Sequence, residues 1–192
     1  MEATKTIKDF VKKSEGLKLK AYKCKGGVRT IGYGHTQGVQ IGDCITKEEA
    51  EEFYKDDCLQ VENNLNKKIE TMGLIEKMRI VGEKRNYIIK QHHFDALFSL
   101  AFNCGLRATN VILWKFRQSG DKKTFTPIEE VAKYNQYRIM PENKKHIIIA
   151  CPTYLFLFRM WINVDSVPVK GLFNRRTAEA GVFCKNEFML IE

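Results

Sequence analysis

The feature that most constrains the fold is a change of pattern at residue 46. From residue 17 to 45, glycines at 26, 27, 32, 34, 38 and 42 interrupt short runs such as VRTIGYG, which alternates in the manner of a strand. Thr46 and Glu49 then form a capping-box pattern, after which apolar residues recur at helical spacing. These positions are Ala50, Tyr54, Cys58, Val61, Leu65 and Ile69. The sequence therefore predicts a small β-hairpin region followed by one long helix.

The residues before the hairpin predict a short amphipathic helix. Ile7, Phe10 and Val11 share one face of this helix, which we place at residues 3–13. Gly16 helps to terminate it, because glycine readily adopts the backbone conformations that end helices. Glu15 therefore lies where the helix ends.

Further helices are predicted downstream of a weakly patterned stretch. Apolar residues between 94 and 101 indicate a helix that Gly105 stops, and Thr109 is predicted to cap the next one. A second capping box begins at Thr126, and residues 171–183 form a final helix. The overall prediction is a small β lobe followed by a helical lobe.

Composition narrows the range of functions. With 192 residues, 44% apolar and 29% charged, the chain suits one ordinary globular domain. The formal charge of +9 favours a polyanionic target, such as nucleic acid, an acidic membrane or a bacterial envelope polymer. The basic residues are spread along the chain beside acids, and no nucleic-acid-binding motif is present. We therefore expect no nucleic acid partner.

The cysteines and the apolar segments argue against metal and membrane sites. The six cysteines are too widely spaced for metal knuckles, and we expect no metal ion or other cofactor. The N-terminus lacks the apolar core of a signal peptide, so we expect a cytoplasmic protein with reduced thiols. The longest apolar run, IIIACPTYLFLF at 147–158, is too short to span a bilayer. We interpret it as core, with an interfacial segment as the alternative, and expect no stable membrane insertion.

One carboxyl group is placed for acid catalysis. Glu15 ends a helix and faces the predicted hairpin, and a carboxyl across a cleft can act as a general acid. It can protonate a leaving oxygen only if apolar surroundings or geometry keep its proton in place near neutral pH. A glutamate at a helix end is more often simply solvated, so its position alone leaves both interpretations open.

The motif around Glu15 resembles that of a known family. Glu15, Cys24 and Thr30 give the spacing E-x8-C-x5-T, followed by IGYGHT. This is similar to the active-site signature of the phage-type lysozymes (endolysins, glycoside hydrolase family 24), in which Asp or Cys fills the second position. TKEEAEEFYKDD resembles the start of that family's interlobe helix, FDALFSLAFNCG its central buried helix, and GLFNRRTAEAGVF its C-terminal signature. The segments occur in the family's order and cover most of residues 10–118 and 159–184.

The resemblance implies an α+β, lysozyme-like fold with a cleft between a small β-hairpin lobe and a larger helical lobe. A single domain over residues 1–192 would comprise a β lobe at about 15–45, an interlobe helix at about 46–70 and a helical lobe at about 71–192. Residues from about 121 to 158 do not match the family's common pattern and are predicted to be an insertion. This insertion would add either core or an envelope-binding surface.

The resemblance also implies an activity, the cleavage of the β-1,4 bond between N-acetylmuramic acid and N-acetylglucosamine in peptidoglycan. Glu15 matches the family's acid, Cys24 occupies the position more often filled by Asp, and Thr30 matches a hydroxyl that can orient the attacking water. An unperturbed thiol with a pKa near 8.5 is only a few per cent ionised at pH 7. Nearby lysines at 20, 23 and 25 would favour the thiolate. We favour a water-mediated, inverting path, while attack by the thiolate and an inert Cys24 stay open.

Four more residues match positions near the family's cleft. His35 lies in the family's GxGH turn, where a structural hydrogen bond or ion pair is favoured over proton transfer. Tyr33 either lines the sugar cleft or packs. Phe102 and Asn103 fall where the central helix faces the cleft, and Asn103 either binds an acetamido group or caps a buried helix. For the adjacent arginines at 175 and 176 we favour a solvated or ion-paired structural role over binding of peptide carboxylates.

The leading hypothesis is thus a muramidase that degrades the bacterial cell wall as a monomer, with peptidoglycan as its partner. A lytic transglycosylase, in which the sugar's own 6-hydroxyl replaces water, is one alternative. A catalytically inactive peptidoglycan-binding module is another. Because the chain is expected to begin in the cytoplasm, it would need a holin pore, or lysis from outside, to reach the wall.

Overall fold

A computed structural model describes residues 1–24, 26–74, 88–119, 157–161, 163–164 and 167–185. Its helices are α1 (Lys5–Glu15), α2 (Lys47–Thr71), α3 (Gln91–Cys104), α4 (Thr109–Ser119) and α5 (Lys170–Lys185), with a 3-10 turn at Leu106–Ala108. Its strands are β1 (Lys18–Lys23), β2 (Arg29–Gly32), β3 (Asn163–Val164) and β4 (Val167–Pro168). The fold is therefore α+β, as predicted. Lys25, Cys151, the helix expected at Thr126 and most of the expected insertion lie outside the described residues.

Helix α1 brings Glu15 to the edge of the hairpin. Its N-cap is Thr4, whose hydroxyl accepts a hydrogen bond from the Ile7 amide at 3.3 Å, so the helix begins two residues later than predicted. It runs on through Glu15 and ends at Gly16, whose φ of +70° favours glycine. Ile7 and Val11 are fully buried. Burial of this face fixes the helix and leaves Glu15 as its last residue.

The first hairpin places residues 24 and 30 close together. Strands β1 and β2 pair antiparallel, with Tyr22 opposite Thr30 and a register irregularity on the side of Lys18. Cys24 follows β1, and its amide donates to the Val28 carbonyl at 2.9 Å. The Gly27 amide donates back to the Cys24 carbonyl at 2.8 Å. Cys24 thus begins the tight turn that leads into β2.

Helix α2 forms as its local sequence predicts. The Thr46 hydroxyl accepts from the Glu49 amide at 3.1 Å and the Glu49 carboxylate accepts from the Thr46 amide at 2.7 Å, which confirms the capping box. Val61 is only partly buried, and Glu62 faces inwards beside it. Glu62 is 5% exposed, and it accepts the Ala3 amide and pairs with Lys8, both at 2.8 Å. The other buried positions are Ala50, Tyr54, Cys58, Leu65 and Ile69.

Helices α3 and α5 form the centre of the described core. Phe94 on α3 is fully buried, and Phe173 and Ala180 on α5 are both buried, as their predicted common face requires. Phe158, from the apolar run interpreted as core, is fully buried, and its ring centroid lies 5.7 Å from that of Phe183. The ring of His93 on α3 lies 4.7 Å from that of Phe183, so α5 packs against α3, which sets the position of the arginines on α5.

The start of α4 corrects one expectation. Thr109 does not cap this helix from outside but is its first residue, because the 3-10 turn after Gly105 runs directly into α4. The Thr109 hydroxyl donates backwards to the Leu106 carbonyl at 2.7 Å. Gly105 ends α3 with a φ of +78°, as predicted.

Candidate active site

The Glu15 carboxyl is held from two sides. Its Oε1 accepts hydrogen bonds from Arg175 Nη1 at 2.6 Å and from Asn103 Nδ2 at 3.4 Å, and its side chain is 19% exposed. Its Oε2 faces Gly34, where an added Cβ would lie 3.7 Å from this oxygen. Gly34 also has a φ of +99°, so glycine suits both the turn and the close approach. One oxygen is thus bound to fixed donors, and the other points towards the turn after β2.

Arg175 reaches Glu15 from the far end of the chain. The side chain is 6% exposed, and Nε donates to Glu179 Oε1 and Nη2 to the Ser99 carbonyl, both at 3.2 Å. Burial acts to lower the pKa of Arg175, but the charges of Glu179 and Glu15 raise it above its usual value. Arg175 is therefore a buried, ion-paired guanidinium and not a solvated one.

Asn103 also contacts the candidate acid. While its Nδ2 donates to Glu15, its Oδ1 accepts from Arg176 Nη2 at 3.2 Å, so the orientation of the amide is set by both neighbours. The sequence-based alternatives for Asn103 were an acetamido contact and a helix cap. Gly105, not Asn103, is the C-cap of α3. The contact with Glu15 belongs to neither alternative.

Thr30 and Cys24 both lie on the first hairpin, Thr30 within β2 and Cys24 directly after β1. Thr30 is 4% exposed, and its hydroxyl donates to the Val28 carbonyl at 3.1 Å, which leaves lone pairs of Oγ1 free to accept a bond. Cys24 is a half-buried free thiol. Within the described parts of the chain, no side chain donates a hydrogen bond to its sulfur.

Tyr22 lies within electrostatic range of both Glu15 and Cys24. Partial burial raises the pKa of Tyr22, and the charges of Cys24 and Glu15 raise it further. Tyr22, which is 37% exposed, is therefore sensitive to the charge of both candidate catalytic groups. Tyr22 was not among the residues predicted from the sequence. Its position opposite Thr30 in the hairpin would have pointed to it, but the pairing of β1 with β2 is irregular, so the sequence does not reveal which residues are opposite each other.

Tyr33 packs beneath the hairpin. It is 8% exposed, its hydroxyl donates to Glu51 at 3.0 Å, and its ring meets that of Tyr54 edge-on at 5.5 Å. Burial raises the pKa of Tyr33, and the hydrogen bond to Glu51 raises it further. Lys12 forms an ion pair with the same Glu51 carboxylate. This geometry supports the packing alternative, and a contact with sugar stays a prediction.

His35 makes structural contacts with both ring nitrogens. Nδ1 lies 3.0 Å from each carboxylate oxygen of Asp57, and Nε2 lies 3.0 Å from the Gln37 carbonyl. The ring stacks on Phe53 at 4.5 Å between centroids. Burial raises the pKa of Asp57 although His35 acts to lower it. These contacts support the hydrogen bond or ion pair that the sequence favoured.

Phe102 is partly buried among aromatic rings. Its centroid lies 5.5 Å from that of Tyr54 and 6.0 Å from that of Phe98. These contacts place the ring against the core, one residue before the amide that touches Glu15. A sugar contact by its exposed part stays a prediction.

The described residues contain no group of three or more His, Cys, Asp or Glu side chains that could bind a metal ion. Their five cysteines are free thiols, and burial raises the pKa of Cys58 to about 11, as for an inert core thiol. None of the helices described is long and apolar enough to cross a bilayer.

This chain is similar to known proteins in its sequence and in its fold. The phage lysozyme family profile matches residues 12–145. An endolysin of Acyrthosiphon pisum secondary endosymbiont phage 1 is 32% identical over 175 residues, which cover 91% of this chain and 92% of that endolysin.

Two solved structures share the fold. An endolysin from Escherichia coli O157:H7 phage FAHEc1 superposes with a TM-score of 0.60 at 22% identity, over 99% of this chain and 98% of that one. The muramidase domain of SpmX from Asticaccaulis excentricus superposes with a TM-score of 0.59 at 20% identity, over 95% of this chain and 97% of that domain. At these identities the two structures support the lysozyme-like architecture alone. Together with the profile and the 32% identical endolysin, they lead to one conclusion: this chain belongs to the phage lysozyme family of peptidoglycan-degrading glycosidases.

Proposed function

We propose that this protein is a muramidase that hydrolyses the β-1,4 bond between N-acetylmuramic acid and N-acetylglucosamine in peptidoglycan, with Glu15 as the general acid. The observation that carries this proposal is that the two oxygens of Glu15 have different surroundings. Oε1 is bound by Arg175 and Asn103, so Oε2, beside Gly34, is the oxygen that can carry a proton. A proton held at a fixed oxygen is what a leaving glycosidic oxygen requires.

Cys24 and Thr30 supply the second half of the reaction in this proposal. As a thiolate, Cys24 accepts a proton from water, and Thr30 Oγ1 accepts a hydrogen bond from the same water while donating to Val28. Water then attacks the anomeric carbon on the face opposite the leaving group, which inverts the configuration. Lys20 and Lys23 on β1 are the described cations nearest to Cys24 along the chain, and both are exposed.

The net charge and the family also bear on the proposed substrate, oligomeric state and location of the enzyme. A net charge of +9 suits an anionic wall polymer. In this proposal the enzyme is a monomer that forms one domain, accumulates in the cytoplasm and needs a holin pore, or lysis from outside, to reach the wall. The name endolysin, carried by the 32% identical relative, is consistent with that order of events.

One observation favours a second candidate, a wall-binding module without turnover. Cys24 has no hydrogen-bond donor among the described side chains, and an unperturbed thiol is mostly protonated at neutral pH. Such a module would sediment with purified peptidoglycan without clearing it. A lytic transglycosylase, by contrast, would clear it and leave 1,6-anhydro ends.

The test is the loss of turbidity of purified peptidoglycan, with mass analysis of the fragments. Wild type should clear the suspension, and Glu15→Gln, which keeps the size and polarity of the side chain, should lower the rate by at least about a hundredfold while remaining folded. Glu48→Gln, on the exposed first turn of α2, is the matched control and should clear normally. Hydrolysed ends support the muramidase, ends about one water lighter indicate the transglycosylase, and binding without clearing indicates the module.

A further inference from the structure

The Glu15 carboxyl is one part of a closed ring of buried and partly buried contacts. Arg175 donates to Glu15 and Glu179, Arg176 donates to Glu179 and Asn103, and Asn103 donates to Glu15. Members of the ring come from α1, α3 and α5. Both arginines meet at Glu179, which does not itself contact Glu15.

Glu179 is buried, and its hydrogen bonds all fall on one carboxylate oxygen. It is 0% exposed, and its Oε1 accepts from Ser99 Oγ at 2.6 Å, from Arg176 Nη2 at 2.9 Å and from Arg175 Nε at 3.2 Å. Its Oε2 lies 2.9 Å from Arg176 Nε. The arginines precede it by four and three residues on α5, so one turn of helix brings all three charged groups together. Two guanidinium groups compensate the cost of burying this carboxylate.

The charges of the ring balance only because Glu179 is present. Arg175 and Arg176 carry two positive charges, and Glu179 with an ionised Glu15 carries two negative ones. Without Glu179, Arg175, which contacts Glu15, and Arg176, which contacts Asn103, would have Glu15 as the one carboxylate of the ring. That imbalance would hold Glu15 as a carboxylate, because a nearby positive charge favours the ionised form. A general acid must instead be protonated at the working pH.

We infer that Glu179 is a positioning residue for the candidate acid: it orients Arg175 and Arg176, and through them Asn103, so that Glu15 Oε1 stays bound while Oε2 can carry the proton. This inference rests on the proposed function. It assigns Glu179 two separable effects. Its shape fixes the two arginines, and its charge limits how strongly they hold Glu15 in the ionised form.

The test compares Glu179→Gln with wild type in peptidoglycan clearing across pH. We expect kcat to fall by about tenfold to a hundredfold while KM stays within about twofold, because Glu179 touches no substrate. The pH above which activity falls by half should also move about one unit lower, because fewer Glu15 carboxyls are protonated. Glu179→Asp keeps the charge and shortens the side chain, so kcat should fall while that pH stays near its wild-type value.

Glu62→Gln is the matched control. Glu62 is also a buried, ion-paired carboxylate, 5% exposed and bound to Lys8, but none of its described contacts reaches the ring. It should lower thermal stability as Glu179→Gln does and leave the pH profile of activity unchanged. A shift of the profile in both variants would overturn the inference, since it would then follow from loss of stability alone.

Two outcomes separate this inference from the proposed function. If wild type does not clear peptidoglycan, the proposed function fails. If wild type clears it and folded Glu179→Gln has wild-type kcat and pH profile, only the role of Glu179 fails. Should Glu179→Gln not fold, Ser99→Ala decides, because it removes the 2.6 Å donor to Glu179 and keeps every charge. We expect it to lower kcat about threefold, and unchanged kcat would overturn the inference.

Discussion

At the scale of single residues, the proposed chemistry depends most on Cys24, a thiol at a position where the family resemblance leads us to expect a carboxylate more often. Cys24 begins the hairpin turn, and Tyr22 lies within electrostatic range of both this thiol and Glu15. A carboxylate is ionised throughout the neutral range, whereas a thiol ionises within or above it. A cysteine and an aspartate at position 24 would therefore give the enzyme different pH profiles of activity.

We predict that Cys24→Asp retains wall clearing and Cys24→Ala loses at least about tenfold in rate, because only the first keeps an ionisable group at this position. Activity of wild type should rise with pH over the range in which a thiol ionises, and Cys24→Asp should lack that rise. Turbidity assays from pH 5 to about 9 would measure both. Cys44→Ala, which removes an exposed thiol elsewhere on the β region, is the control. Normal clearing by Cys24→Ala would contradict a catalytic thiolate.

At the scale of elements, the start of α3 contains a buried titratable group. His93 is 1% exposed, its Nδ1 accepts from the Lys90 amide at 3.1 Å, and its ring packs on Phe116 and Phe183. Burial lowers the pKa of His93 to about 3, and the charges of His92 and Lys90 act in the same direction. The folded protein thus keeps this ring neutral, while the unfolded chain binds a proton below a pKa of about 6.5.

The sign of the resulting pH dependence follows from linkage. The contribution of His93 to stability is complete above pH 6.5 and is lost as pH falls from there towards 3, by up to about 1.4 kcal/mol per pH unit. His93→Asn keeps an acceptor for the Lys90 amide and removes the titration. Between pH 6.5 and about 4.5, its free energy of unfolding should therefore fall by about 2 kcal/mol less than that of wild type. Urea unfolding at several pH values measures this, and parallel curves for the two proteins would contradict it.

The elements differ in how much of them the sequence alone predicts. Helix α2 follows from local signals, namely a capping box and apolar spacing. The burial of Glu62 is the exception, because it depends on contacts with Lys8 and the Ala3 amide. The position of Glu15 at a helix end is equally local. The donors to Glu15 are not, because Asn103 and Arg175 lie 88 and 160 residues away, and only the packing of α3 and α5 brings them to it. Spacing motifs cannot report such contacts.

At the scale of the whole molecule, the excess of positive charge is spread along the chain. The net charge of +9 should speed the encounter with an anionic wall, and salt screens such attraction. We predict that raising salt from about 0.05 to about 0.5 M lowers kcat/KM on intact peptidoglycan several-fold, because the Debye length falls well below 10 Å. Cleavage of a short neutral glycan fragment should change by less than about twofold. Equal salt effects on both substrates would show that the charge serves another purpose.

The ion pair between Glu15 and Arg175 also bears on the order in which the protein is made. A ribosome that has translated as far as residue 170 has already produced Glu15, Cys24 and Thr30, but neither arginine of α5. The nascent chain therefore carries every residue of the lysozyme motif without the partner that holds its carboxyl in place. In the proposed function, activity should therefore arise only once α5 has emerged and docked, so a chain stopped before residue 175 would carry the motif without the activity.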